Sequence, residues 1–342
     1  MRTPTLSDIA NRVGVSTAAV SIALNKGETT RVSARTREQI RKVAAELSYS
    51  PNELARALAE NRTRLLGLVV PMRDPIFFNL FIAQALSGIQ STLMRRGYNL
   101  LVYSPPDKQV GATREKIYES KYTDGIIFIN TRLCSAATVN NTIRELKDKK
   151  VKFSMINSYY GRGAFNYVGV DDAQIAEAAA DHLVGKGHRR IALLSGTHLL
   201  PAHLQLVKGL ERGLRKHGLA LASELVGCTE YDRDRAFTIL DRWFQSKGRR
   251  PSAVLVADDQ LLLHLYDYAD LRKMTIPGDV SVLARRNIGI EDHIRPRPTS
   301  IVIPTFQMGQ IAAELLINTI EDPDCEPRTV MLPFELIEGT TA

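Results

Sequence analysis

The run SVLARRN, residues 281–287, begins as a buried strand and ends on two fixed positive charges, Arg285 and Arg286. Arginine offers five donors in a rigid fork and accepts no hydrogen bond, so it suits a carboxylate or phosphate. Either the pair is a solvated strand end, or one of the two lines a cavity and meets something polar or anionic there. Two other apolar runs, KFSMIN and AVLVAD, end on or just before polar residues, Asn157 and Asp258, which can hydrogen-bond a hydroxylated ligand. Covalent chemistry has no comparable set. The chain carries no GxxxxGK[ST] loop, no GxGxxG after a strand, no GxSxG elbow and no HExxH. Its seven histidines, His182, His188 and His198 among them, are scattered, and His188 in GHRRI reads as structural. Cys134, Cys228 and Cys325 form neither a CxxC site nor a disulfide framework. The residues point away from an enzyme and call for no metal and no cofactor.

A binding cavity needs elements to build it, and the alternation from residue 65 onward supplies them. LLGLVVP, YNLLVYS, GIIFIN, KFSMIN, YVGVD, RIALLSG, AVLVAD, SVLA and TSIVIP are apolar runs of the kind buried on both faces. Helical stretches lie between several of them, at 80–97, 173–187 and 204–218. This βα rhythm predicts parallel sheets flanked by helices. So many strands exceed one sheet, so two doubly wound α/β lobes with a cleft between them are expected, with ligands beyond the carboxyl ends of the strands.

The first 62 residues differ. They show helical patterns at about 6–13, 17–24 and 34–47 and no strand signal. Thr5 with Asp8 resembles a capping box, Ser16 caps the second helix and Ser33 precedes the third. Ile9, Ala10, Val13, Val15, Val20 and Leu24 give two short helices an apolar seam, and Gly14 permits a tight turn between them: a helix-turn-helix. NELARALAEN, 52–61, is one more short helix, too brief to be stable alone. Residues 1–62 hold ten Lys and Arg against six Asp and Glu, a net of +4 out of a chain total of +8. Half the excess in under a fifth of the chain suits contact with phosphates and predicts salt-sensitive binding. The start lacks the apolar core of a secretory signal and no run is long enough to span a bilayer, so a soluble cytoplasmic protein is expected.

TLSDIANRVGVSTAAVSIALN (5–25), together with VSARTREQIRKVAAELSYSPNELARAL (32–58), closely resembles the LacI family of bacterial transcription regulators. GLVVPMRDPIFFNLF, DGIIFIN, HLVGKGHRRIALLSG, TIPGDVSVL and PTSIVIPTFQMGQIAAELL follow in the family's order. The resemblance implies a homodimer, a double-stranded DNA operator of two inverted half-sites, a small-molecule effector, repression as the commoner mode, and a periplasmic-binding-protein-like core. It divides the chain into a helix-turn-helix domain (1–50), a hinge helix (51–62), one core lobe (63–163 with 293–322) and a second (164–292 with 323–342). A free solute-binding protein with no DNA role is the main rival reading, and conflicts with the N-terminal helices.

Carried over by position, Ser16, Thr17 and Ala18 open the recognition helix and should read base edges, with Thr5, Ser21 and Asn25 as phosphate anchors. Ile22 stands where some relatives carry a polar base reader, and can make only apolar contact. Asn52, Arg56 and Leu58 belong to the hinge helix, Leu58 matching a minor-groove wedge. Effector contacts by position are Arg73, Phe77, Asn157, Tyr231, Asp258 and Arg286. Two departures stand out. Leu206 replaces a frequent effector-gripping arginine, and Arg286 replaces the aspartate that usually ends this strand. Three readings follow: an anionic effector held by Arg286, a salt bridge from Arg286 to Asp258 or a neighbour with a neutral effector, or a lost response. The first is favoured because a buried unpaired arginine is costly. Arg285, alternating away, is expected to be the solvated neighbour.

Overall fold

The computed structural model describes residues 4–24, 31–50, 57, 62–70, 79–103, 122–130, 136–157, 165–245, 250–286 and 293–342. The chain divides into two compact units, Met1–Thr63 and Arg64–Ala342.

In the first unit, α1 (Leu6–Val13), α2 (Thr17–Leu24) and α3 (Ala34–Glu46) are set by local chemistry. The Thr5 side chain accepts from the Asp8 amide while the Asp8 carboxylate accepts from the Thr5 amide at 2.8 Å, a complete capping box. Gly14 ends α1 at φ 78°, the left-handed region that glycine enters without steric cost, and so turns the chain into α2. The Ser16 hydroxyl accepts from the Ala19 amide at 3.2 Å, and the Ser33 hydroxyl from Thr36 at 3.2 Å. Ile9, Ala10, Val20, Ala23, Val32, Ile40 and Ala44 close one small core among the three helices.

The second unit holds two six-stranded sheets. The first runs β11 (Thr329–Met331), β5 (Asn166–Gly169), β4 (Phe153–Ile156), β3 (Gly125–Ile129), β1 (Leu65–Val69), β2 (Asn99–Tyr103), all parallel. The second runs β12 (Glu335–Ile337), β10 (Thr299–Val302), β9 (Ser281–Arg286), β8 (Ala253–Val256), β6 (Ile191–Ser195), β7 (Val226–Cys228); only β12 is antiparallel. The connecting helices are α4 (Leu80–Arg96), α5 (Ala136–Asp148), α6 (Asp172–Gly185), α7 (Pro201–Lys216), α8 (Arg233–Gln245), α9 (Asp259–Leu271) and α10 (Thr305–Glu321). Strands β1, β3, β4, β6 and β8 are almost wholly buried, as parallel strands covered on both faces must be. Helices α4 and α10 cross at bare backbone: a Cβ added to Gly88 would enter the Phe306 carbonyl, and one added to Gly309 the Ala85 carbonyl.

Sheet membership redraws the lobe boundaries expected from the sequence. β5, expected in the second lobe, pairs with β4 in the first; β10, expected in the first, pairs with β9 in the second. After β10 the chain returns, α10 packing on α4, β3, β4 and β5. β11 then extends the first sheet beside β5, and β12 the second beside β10. These short strands go where an edge strand leaves backbone donors and acceptors open, which motif order does not reveal.

Candidate functional site

Two places concentrate the residues singled out by the sequence. The first is the start of α2. Ser16, Thr17 and Ala18 are exposed there, as is Thr5 at the head of α1. Small exposed side chains leave the amides of the first helical turn approachable, and this end of a helix attracts phosphate. Ser21 and Ile22 are half-buried, Ile22 packing against the three-helix core, so its side chain anchors α2 as well as facing outward. Asn25, Asn52, Arg56 and Leu58 lie outside the described residues.

The second is a cavity at the carboxyl ends of the strands, the position expected of an open α/β sheet. It takes in about 770 Å³ of empty space, counting the part open to solvent. Asn130 follows β3 and Asn157 follows β4 on one side; Ser195 ends β6, Ala257 and Asp258 follow β8, and Arg285 nearly ends β9 on the other. Helices supply the rest of the wall: Asn79, Phe81 and Ile82 from the head of α4, and Leu200, Ala202, His203 and Leu206 from the head of α7. Asn157, Tyr231 and Asp258, named from sequence, therefore share one cavity. Leu206, buried, presents apolar surface to the cavity. Arg73 and Phe77 lie outside the described residues.

The two arginines exchange the places assigned to them. Arg285, expected in solvent, is 8% exposed, lines the cavity, and donates from Nε to the wholly buried Asp172 carboxylate at 2.9 Å and from Nη1 to the Ala257 carbonyl at 3.4 Å. Arg286, expected on the wall, is 1% exposed, is absent from it, and donates from Nε to the Ser300 hydroxyl at 2.6 Å. The cause is strand parity. Val282 and Ala284 belong to the core of α8 and α9, and Leu283 to that of α6 and α7; Arg286 shares the first face and Arg285 the second. Among the described residues, the ion pair that joins β9 to the first residue of α6 is that of Arg285 with Asp172. The Asp258 carboxylate instead caps α9, accepting from the Gln260 amide at 2.8 Å.

The polar wall is held in fixed orientation. Asn130 donates from Nδ2 to the Asn157 carbonyl, which leaves its Oδ1 as an acceptor; that atom and Asn157 Oδ1 are buried without a partner among the described residues. Buried orphan acceptors cost roughly 1–3 kcal/mol each, and a ligand donating to them recovers that cost. Asn157, Glu230 and Tyr231 adopt positive φ of 69°, 53° and 59°, the uncommon backbone that collects where a site is shaped. His203 sits beside Ser195, its Nδ1 2.7 Å from the hydroxyl, and burial pushes its pKa below the ordinary imidazole value. Asn79, Asn130, Ser195, His203 and Arg285 escaped the sequence reading of this site. Asn130 carried the same signal as Asn157, a polar residue ending an apolar run. Among the described residues no group of His, Cys, Asp and Glu is placed to hold a metal ion, and no helix is long and apolar enough to cross a membrane.

Comparison with known proteins supports both parts. A model of the bacterial regulatory proteins of the lacI family matches residues 5–52, and one of the periplasmic binding protein-like domain matches residues 180–342. Catabolite control protein A of Priestia megaterium is 27% identical over 336 residues, covering 97% of each chain. The HTH-type transcriptional repressor PurR of Vibrio atlanticus (strain LGP32) is 28% identical over 342 residues, covering 98% of each. Among solved structures, the lac repressor dimer bound to operator and the anti-inducer ONPF matches with a TM-score of 0.84 at 22% identity, over 99% of each chain. The transcriptional regulator CelR in complex with cellobiose gives 0.71 at 24% identity, over 99% of this chain and 100% of its own. A helix-turn-helix of the lacI type thus stands ahead of a two-sheet periplasmic-binding-protein-like core, and along its full length the chain is similar to transcription regulators of the LacI family.

Proposed function

We propose that the chain is a DNA-binding transcriptional repressor that recognises a pseudo-palindromic operator as a homodimer, with affinity controlled by a small molecule in the cavity between the two sheets. The observation that carries this reading is the exposed opening of α2, Ser16, Thr17 and Ala18, on a fully capped helix-turn-helix within the most basic part of the chain. Ser16, Thr17 and Ala18 read bases; Thr5, Ser21 and Asn25 anchor the backbone; Asn52, Arg56 and Leu58 act at the operator's centre. Pairing of two copies is supported by the outer face of α4 and edge strand β2, where Met94 is 73% exposed and Leu101 and Val102 are exposed beside it, an apolar surface unusual for a monomer.

In the cavity, Asn130, Asn157, Tyr231, Asp258 and Arg285 are the effector contacts, joined by Arg73 and Phe77. Because Asp172 already neutralises Arg285, an uncharged hydroxylated ligand such as a sugar fits better than an anion. Enrichment of a randomised double-stranded DNA library by the full chain tests the DNA role. The expected product is an inverted repeat, lost when residues 1–60 are deleted. Enrichment of nothing above background, or of the same sequences by the deleted chain, would leave a solute-binding protein as the better account.

A further inference from the structure

His203, at the head of α7, is 8% exposed and lines the cavity. Its Nδ1 lies 2.7 Å from Ser195 Oγ, and the Cys228 sulfur, behind it at the end of β7, lies 3.9 Å from Nδ1 and 3.8 Å from Nε2. Cys228 is also 3.8 Å from Ser195 Oγ, so hydroxyl, imidazole and thiol form one closed cluster in the wall. The other titratable groups bearing on the ring are His198 and Glu230, themselves 3.4 Å apart. The ends of the same sheet also bring Asp258, Tyr231 and Arg285 to the cavity, the last bound to Asp172. None of this is required to build the lobe, for a leucine would fill the same helical position without the cost of burying a polar ring.

We infer that His203 is a specificity-determining contact of the cavity, positioned by Ser195 and Cys228 to meet the ligand through its neutral ring. The inference rests on the reading of this cavity as the effector site. Burial lowers the His203 pKa first, the His198 charge lowers it further and Glu230 opposes them, while burial pushes the Cys228 thiol up, so ring and thiol are both uncharged at neutral pH. A ligand closing over the ring removes more water from it and disfavours the imidazolium again. By linkage, an uncharged ligand then binds less tightly as pH falls through the titration of His203.

The test is calorimetry on the full chain at about pH 7.5 and about pH 5.5, on either side of the ordinary imidazole value. The probes are D-glucose, D-galactose, D-ribose, cellobiose, adenine, hypoxanthine, D-gluconate and D-glucose 6-phosphate. For a probe that binds, His203→Ala should weaken affinity about tenfold at the higher pH, the loss of one buried hydrogen bond. His203→Gln, which brings an amide to the place of Nε2, the nitrogen that Ser195 does not engage, and cannot titrate, should retain most of the affinity and lose its pH dependence. Equal affinity in wild type and His203→Ala at both pH values, with Tyr231→Ala still weakening binding, overturns the inference and leaves the cavity reading standing. Binding indifferent to both His203→Ala and Tyr231→Ala, or no binding by any probe, overturns the cavity reading and the inference with it. Melting curves of each variant, superimposable with wild type, show that folding is not the cause.

Discussion

Replacing Asp172 by alanine removes the carboxylate that answers Arg285, while the Ala257 carbonyl at 3.4 Å stays among the contacts of the guanidinium. The pair is buried on both sides, Asp172 fully and Arg285 at 8% exposure, with Nε to Oδ1 at 2.9 Å. Breaking such a pair by deleting one member costs about 3–5 kcal/mol, because the surviving charge keeps its desolvation penalty without its partner. Arg285 lines an open cavity, where water can reach its outer nitrogens, so the loss should fall at the lower end, about 3 kcal/mol. Trp243, the single tryptophan, is buried in the core of α8 and α9, its indole donating to the Glu224 carbonyl at 2.8 Å, and its fluorescence reports unfolding of the second lobe alone. Urea denaturation of the full chain followed at this residue gives the difference without assuming that all parts unfold together. Asp172→Leu combined with Arg285→Met, an apolar pair of similar bulk, should return to within about 1 kcal/mol of wild type. A single Asp172→Ala variant within about 1 kcal/mol of wild type would refute the buried pair and, with it, the placement of Arg285 on the cavity wall.

Other outcomes follow from the same structure. Gly309→Val forces a side chain into the Ala85 carbonyl at the α4–α10 crossing and should lower the stability of the core by about 3 kcal/mol, read as an earlier circular-dichroism transition. His182, His188, His203 and His264 all have pKa values lowered first by burial. Their unfolded forms take up protons first, so stability is full above about pH 6.5 and declines as pH falls below it, a decline that urea titrations at successive pH values would show. Ala18→Glu places a negative charge on the exposed first turn of α2, which a helix tolerates well, so the fold should persist while DNA affinity in a gel-shift titration falls at least about tenfold. Leu58→Gly, from the resemblance alone, should leave the core melting unchanged and weaken operator binding by about 2 kcal/mol or more.

What could be read from the sequence was whatever local chemistry decides. Thr5 with Asp8, Gly14 and Ser33 fix three helices by hydrogen bonds within a few residues, and all three occur close to the expected bounds. All nine apolar runs became strands, eight of them largely buried as parallel strands covered on both faces must be, while β2 at the sheet edge is partly exposed. β7, β11 and β12, of three residues each, carry no such run; they form by completing sheet edges, which is tertiary information. The cavity was legible where a polar residue closes an apolar run, as at Asn157 and Asp258. It was not legible at Arg285 and Arg286, since alternation says that neighbours part but not which one faces the cavity. That choice was made by Asp172, 113 residues away in sequence, at the head of α6. His203 gave no signal of its own, lying on a helix whose packing alone turns it toward Ser195.

The central claim, sequence-specific DNA binding by the N-terminal helices, is tested most directly by fluorescence-anisotropy titration of the full chain against a selected inverted-repeat duplex and a scrambled duplex across a salt series. The inverted repeat should be preferred by at least about a thousandfold near physiological salt, with both affinities falling steeply as salt rises. Equal affinity for the two duplexes at every salt concentration would contradict it.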